Sequence, residues 1–231
     1  MKLKIFIVFL FFVCCILPGI SLAQNKVVVI PLWSDDCDCD EIPTVTSANG
    51  RVWMDRNLGA SKVAESLDDS RAYGWLYQWG RFSDGHQDRS SPTRSTLSDS
   101  DVPGHGDFIT TSASPHDWRN PQNDNLWQGV DGVNNPCPPC FRLPTDAEWE
   151  IERTSWASND AAGAFASPLK LVVAGYKNNW DGTISNVGLD GSYYSSAVQS
   201  SSARLLYIHN DNAWLANHLR ARGLSIRCIK D

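Results

Sequence analysis

The sequence predicts an α+β fold in which small antiparallel sheets, at least one capped helix and long loops share a single domain spanning residues 44–231. Three observations carry this. Within Arg142-Leu143-Pro144-Thr145-Asp146-Ala147-Glu148-Trp149-Glu150, Thr145 is placed to cap a helix and Glu148, three residues on, to close a capping box. Pro144 lies just outside, and Asp146 sets negative charge at the positive end of the dipole. Short β-prone runs punctuated by Gly175, Gly182, Gly188, Gly191 and Gly223 fill the C-terminal part. From Ser83 to Pro136 the chain turns rich in Ser, Asp, Asn, Gly and Pro with isolated apolar residues, the composition of an elaborated loop region.

The elements follow in order. Lys2 and Lys4 precede an apolar run from Ile5 to Leu17, then Pro18, Gly19 and Ser21-Leu22-Ala23. This reads as a secretory signal peptide over residues 1–23, cleaved after Ala23, because the run is well short of the ~20 apolar residues that span a bilayer. Residues 24–43 read as an acidic, cysteine-containing linker: after the β-prone Val27–Leu32 come Asp35, Asp36, Asp38, Asp40 and Glu41 around Cys37 and Cys39. Such a cluster is either a solvated linker or a cation site. Thr44 to Asp55 reads as a hairpin with an Asn49-Gly50 tip. In Ala72–Phe82 the aromatic residues Tyr73, Trp75, Tyr77 and Trp79 fall at every second position, which suits a half-buried strand, although Leu76, Trp79 and Gly80 also share a helical face.

Phe108, Ile109, Trp118, Leu126 and Trp127 are anchors that favour order in the long region, since disordered segments are poor in aromatics. The capped helix is expected to run to about Ser155 or Trp156 and to bury Ala147, Ile151 and Trp156. A small-residue linker, Ala157 to Pro168, follows. Leu169–Ala174, Tyr193–Val198, Ala203–Ile208 and Ser225–Ile229 read as strands, the last with Ile226 and Cys228 on one face.

Composition narrows the function classes. Loss of Lys2 and Lys4 on cleavage makes the formal charge of −6 more negative, which disfavours phosphate backbones, so nucleic acid is not an expected partner. There is no second apolar run of spanning length, so no membrane span is expected after cleavage. Of the seven cysteines, Cys37, Cys39, Cys137, Cys140 and Cys228 remain, which in an exported chain reads as a disulfide framework with one thiol over. Zinc at Cys137-Pro138-Pro139-Cys140 would need a second ligand pair that the neighbourhood lacks.

Several separated segments agree with one family: Gly50-Arg51-Val52-Trp53-Met54-Asp55-Arg56-Asn57-Leu58-Gly59, Tyr73-Gly74, Tyr77-Gln78-Trp79-Gly80-Arg81, Pro136-Cys137-Pro138-Pro139, the Arg-Leu-Pro-Thr helix start, and Gly223 through Arg227-Cys228. In this order they resemble the Fibrobacter succinogenes major paralogous domain, a bacterial family of exported proteins. The helix start is also similar to that of formylglycine-generating-enzyme-like and C-type-lectin-like proteins. The resemblance implies a C-type-lectin-like fold with the N- and C-terminal strands together, Val45 near Ile226, and a projecting loop region. It also implies a Cys137–Cys228 disulfide, leaving Cys140 for Cys37 or Cys39. Cys140 departs from the pattern, which has glycine there, and cysteine tolerates positive φ poorly.

Chemistry is thin beside this. Formylglycine-generating enzymes are implied to need a close cysteine pair near the C-terminus, where this chain has only Cys228. His86, His105, His116, His209 and His218 are scattered, with no His-Glu-x-x-His or Gly-x-Ser-x-Gly pattern, so no enzyme and no obligate cofactor are expected. Ser83-Asp84-Gly85-His86, Asp99–Asp107 and Gln122-Asn123-Asp124-Asn125 supply hard oxygens, which makes Asp84 and Asp124 calcium candidates. The competing reading is that they form side-chain turns.

The expectation is therefore an exported, non-catalytic recognition module for a glycan or protein at or outside the cell surface. Its binding face would be built from the Ser83–Pro136 region and the loops around Asp181 and Asn210. Trp118, Trp127, Asp124, Trp180, Asn210 and Trp214 are the candidate ligand-binding residues. Tyr193, Tyr194, Tyr207 and Asn212 either join them or pack inward. A structural or self-assembling surface component is the alternative.

Overall fold

Short strands, two α-helices and the long loops between them build the described part of this molecule. A computed structural model describes residues 41–231, and Ile42–Asp231 form one compact unit. The expectations for residues 1–23 and for the acidic stretch up to residue 40, Val27–Leu32, Cys37 and Cys39 included, lie outside the described residues. In order the strands are β1 (Thr44–Thr46), β2 (Val52–Met54), β3 (Tyr77–Gln78), β4 (Thr93–Arg94), β5 (Phe108–Ile109) and β6 (Phe141–Arg142). Helices α1 (Asp146–Thr154) and α2 (Ala161–Ala166) come next. After them run β7 (Tyr176–Lys177), β8 (Ile184–Ser185), β9 (Gly191–Gln199), β10 (Ser202–Ile208), β11 (Ala213–His218), β12 (Gly223–Leu224) and β13 (Ile229–Lys230). This is an α+β arrangement of small, mainly antiparallel sheets: β1-β2-β13-β6, β11-β10-β9, β3-β12-β7-β8, and the parallel pair β4-β5.

The expected hairpin forms, with Thr44 opposite Met54, Thr46 opposite Val52 and Gly50 at φ +83° in its tip. The expected helix start forms too. Thr145 Oγ1 accepts the Glu148 amide at 3.2 Å, while Glu148 Oε2 accepts the Thr145 amide at 2.8 Å. The buried face of α1 differs from the one expected. Ala147 is exposed and Ile151 is 54% exposed, whereas Trp149 and Glu152 are buried and Trp156 packs partly against the core. Trp149 stacks on Trp53, ring centroids 4.9 Å apart, and donates its indole N–H to Tyr194 O at 3.1 Å. Burying an indole removes far more apolar surface than burying Ala147, and that sets the helix rotation. Glu152 follows it inward because Asn49 and Trp156 each donate to its carboxylate at 3.2 Å.

The β11-β10-β9 sheet is covered on both faces. Tyr194, Ala203 and Leu205 face a core holding Trp79, Trp118, Trp127 and Ile226, and Tyr193, Leu206 and Ile208 face a second core with Trp53, Trp149 and the small residues of α2. The small-residue stretch expected as a linker contains α2, capped by Asp160, whose carboxylate accepts the Gly163 amide at 2.8 Å. Leu169–Ala174 is buried as its apolarity demands but joins no ladder. Its backbone is satisfied from other directions: Tyr193 Oη bonds both the Val172 amide and carbonyl, Arg227 donates to Leu169 O at 2.6 Å, and Arg89 to Ala174 O at 2.9 Å. In Ala72–Phe82 only Tyr77–Gln78 is strand. Leu76, Tyr77, Gln78 and Trp79 are all buried, so the alternation does not mark one wet and one dry face.

The last strand is also split, into β12 and β13. The strand around Val45 does not pair with the C-terminus as expected: β1 is the edge, and β13 sits between β2 and β6, Ile229 opposite Trp53 and Arg142. Cys228 O and Ile226 O each accept an amide, from Met54 and Leu58, at 3.0 Å. Cys137 and Cys228 form a disulfide, with Cα atoms 5.9 Å apart. Cys140 keeps the left-handed turn despite its side chain, at φ +67°. It is also disulfide-bonded, and the pairing expected for it, with Cys37 or Cys39, involves residues outside the described range.

Candidate functional site

The β7–β8 hairpin displays Trp180 on a tip that is fixed from every side. Asp181 Oδ1 accepts the Thr183 amide and hydroxyl at 2.9 and 2.8 Å, and Asn178 Nδ2 donates to Thr183 Oγ1 and Ser185 Oγ at 2.9 and 2.8 Å. Asn179 exchanges bonds with the backbone of Thr111, which ties the tip to the long loop region. Asn178 and Asn179 are buried, yet Trp180, the next residue in the chain, is 53% exposed. An apolar ring held out on such a tip forgoes the stabilisation that burial would give it.

The neighbouring strand supplies a cation. Gly223 pairs with Lys177, so Tyr176 and Arg222, one residue to either side of that pair, turn to the same face. The Arg222 guanidinium carbon lies 4.3 Å from the Tyr176 ring centroid and 5.7 Å from that of Trp180, and Nη1 meets His218 Nε2. Burial lowers the pKa of Arg222, and burial with the adjacent guanidinium holds His218 neutral at about 4. On β11, Trp214, Ala216 and His218 share a face, and Trp214 stands opposite Tyr207 with ring centroids 4.7 Å apart. Trp214 is 42% exposed. Tyr207 links the two halves: burial, a hydrogen bond with Asp190 and the nearby Tyr176 raise its pKa. Tyr176, Trp180, Tyr207, Trp214, His218 and Arg222 thus form one half-exposed aromatic ledge with a guanidinium inside it.

The candidate residues chosen from sequence separate into four places. Trp118 and Trp127 are fully buried, their indole N–H groups donating to Trp79 O at 2.7 Å and Asn134 O at 2.8 Å, and offer a ligand no face. Asp124 is exposed but paired to Arg220 at 2.6 Å beside the β9–β10 turn, the opposite end of the sheet from Asn210, which is exposed at the β10–β11 turn near α2. Trp180 and Trp214 are in the ledge. Tyr193 and Tyr194 pack inward. Tyr176 and Arg222 carried no sequence signal, because their neighbourhood arises only from the β7–β12 register.

The calcium candidates are engaged internally. Asp84 takes Arg81 on one oxygen and His86 on the other, both at 2.6 Å, and among the described residues no three His, Cys, Asp or Glu side chains gather as a metal site. His86 has the outline of an Asp–His dyad, but Nε2 accepts the Gln78 amide at 3.1 Å and the ring is wholly buried. Burial keeps it neutral, at about 4, and it serves as structural wiring. A cleft of about 610 Å³ beside the Cys137–Cys228 disulfide is lined by Phe82, Val130, Asp131, Asn134, Asn135 and Pro138 among others. Its two asparagine side chains are spent on backbone carbonyls.

Among the described residues no helix is long and apolar enough to cross a membrane. The chain matches no family model, no curated protein and no solved structure.

Proposed function

We propose that this protein is an exported, non-catalytic recognition module, on a C-type-lectin-like scaffold of the Fibrobacter succinogenes major paralogous type, that meets a glycan or protein ligand outside the cell. The observation that carries this reading is the ledge, where Trp180 and Trp214 stay about half exposed while held by ordered backbone and neighbouring rings. Rigid aromatics with polar neighbours supply contact area at low cost in conformational entropy. The export half of the reading rests on the N-terminal sequence pattern.

The test is a binding screen of the exported chain against polysaccharides and cell-surface proteins, with and without calcium. A hit is expected to survive chelation and to weaken at least ten-fold in Trp180→Ala or Trp214→Ala. A ligand held with unchanged affinity by the double variant overturns the placement of the site, and turnover of a bound ligand overturns the non-catalytic reading.

A further inference from the structure

Arg222 stands apart from the other arginines of the described residues. Arg51, Arg56, Arg71, Arg81, Arg94, Arg119, Arg142, Arg153, Arg204 and Arg220 each reach a carboxylate within 4.0 Å. Arg89 and Arg227 have none but donate to backbone carbonyls of buried segments. Arg222 has neither: Nη1 meets His218, Nε is buried without an acceptor, and the two flanking groups are the Tyr176 and Trp180 rings. Asp190, which bonds Tyr207 at the ledge, is also held by Asn186 at 2.5 Å and forms no ion pair with Arg222. A half-buried guanidinium with no counter-ion is electrostatically incomplete; with Nη1 on His218 and Nε buried, Nη2 is the donor left for a ligand, and a single carboxylate oxygen can accept from it in a charge-assisted bond.

Resting on the reading of the ledge as the binding surface, we propose that its ligand is a carboxylated saccharide, a uronate-containing chain. A sugar ring lies on the exposed Trp180 face, and its carboxylate accepts from Arg222. Aromatic rings suit the C–H faces of pyranose rings, and Trp214 with Tyr207 extends the ledge for a second residue of the chain. The overall negative charge of the protein favours this local, single-carboxylate recognition over attraction to any polyanion.

The experiment titrates the exported full chain with oligogalacturonate, with its carboxyl-reduced counterpart and with a sulfated galactan, by calorimetry and indole fluorescence. The uronate chain is expected to bind, and the reduced chain to bind at least ten-fold more weakly. Arg222→Gln should remove most of that difference, Arg222→Lys should recover part of it, and Trp180→Ala should weaken both chains. Variants are compared only at unchanged melting temperature; Trp180→Ala, at an exposed position, provides the arm that does not depend on Arg222. Equal binding of the reduced chain, or preference for the sulfated one, overturns the carboxylate inference while leaving the ledge as a binding surface. Uronate binding that neither Arg222→Gln nor Trp180→Ala alters overturns the inference and the placement of the site together.

Discussion

Glu148 receives the Arg142 guanidinium at 2.8 and 2.9 Å, Arg51 at 2.6 Å and the Thr145 amide at 2.8 Å on one carboxylate. Burial pushes its pKa up, but these donors win and hold it at about 2. A folded pKa below the unfolded value means stability that is fully present above about 4.5 and is lost as pH falls toward about 2. Because Arg51, one of the partners, is exposed and screened by solvent, the contribution is on the order of 1–2 kcal/mol. His86 and His218 add an earlier stage. Both stay neutral in the fold until about pH 4, so the unfolded chain protonates first and stability falls from about pH 6.5 downward. Urea midpoints measured against pH should therefore decline in two stages, and Glu148→Gln should flatten the lower one; an unchanged slope below pH 4.5 would refute the assignment. The tryptophans give a second residue-scale contrast. Trp118→Ala should cost roughly 3–5 kcal/mol by opening a core cavity, whereas Trp180→Ala should stay within about 0.5 kcal/mol. Sequence could nominate all four tryptophans as notable but could not sort them, since burial is decided by where distant segments meet.

At the scale of elements, what was legible is what is written locally. The capping box needs only Thr145 and Glu148, and the Asn49-Gly50 hairpin needs only its turn, so both were readable. The buried face of α1 was not, because it depends on Trp53, almost a hundred residues earlier in the chain. β11 was not foreseen either, since its burial alternates irregularly along a sheet edge. Helix α2 hid in a run of Ala, Gly and Ser that reads as a linker, and its packing explains the composition. A Cβ on Gly163 would stand 1.9 Å from the Ser158 carbonyl oxygen, a backbone atom that cannot swing aside. In an open helix Gly→Ala stabilises by about 1 kcal/mol. Gly163→Ala is expected to reverse that sign and destabilise by roughly 1–3 kcal/mol, as overpacking does. A chemical-denaturation midpoint above that of the parent would show that α2 is not held against Ser158.

For the whole molecule, the segments behind the family resemblance turn out to be internal wiring. Arg227 donates to Asn57 Oδ1 at 2.9 Å, and Gln78 Nε2 bridges Ile109 O and Ala221 O at 2.8 and 2.7 Å. Residues of this kind specify a scaffold, and the ledge that would choose a ligand is built from positions outside them, apart from its neighbour Gly223; this is why the fold was more legible than the function. The same wiring makes the C-terminus a keystone. Ile229 joins β2 to β6, Leu224 and Ile226 fill the larger core, Arg142 reaches Asp231 at 2.6 Å, and Cys228 closes a 91-residue loop to Cys137. Chain entropy alone assigns such a loop roughly 4–5 kcal/mol, comparable to the whole stability of many domains. Cys137→Ala/Cys228→Ala should therefore melt at a markedly lower temperature while keeping one cooperative transition. Ending the chain after Gly223 should abolish that transition, because it deletes a central strand as well as the bridge. A truncated protein that still melts cooperatively near the parent temperature would mean that β1-β2 and β6 hold together without β13, and the keystone role would fall.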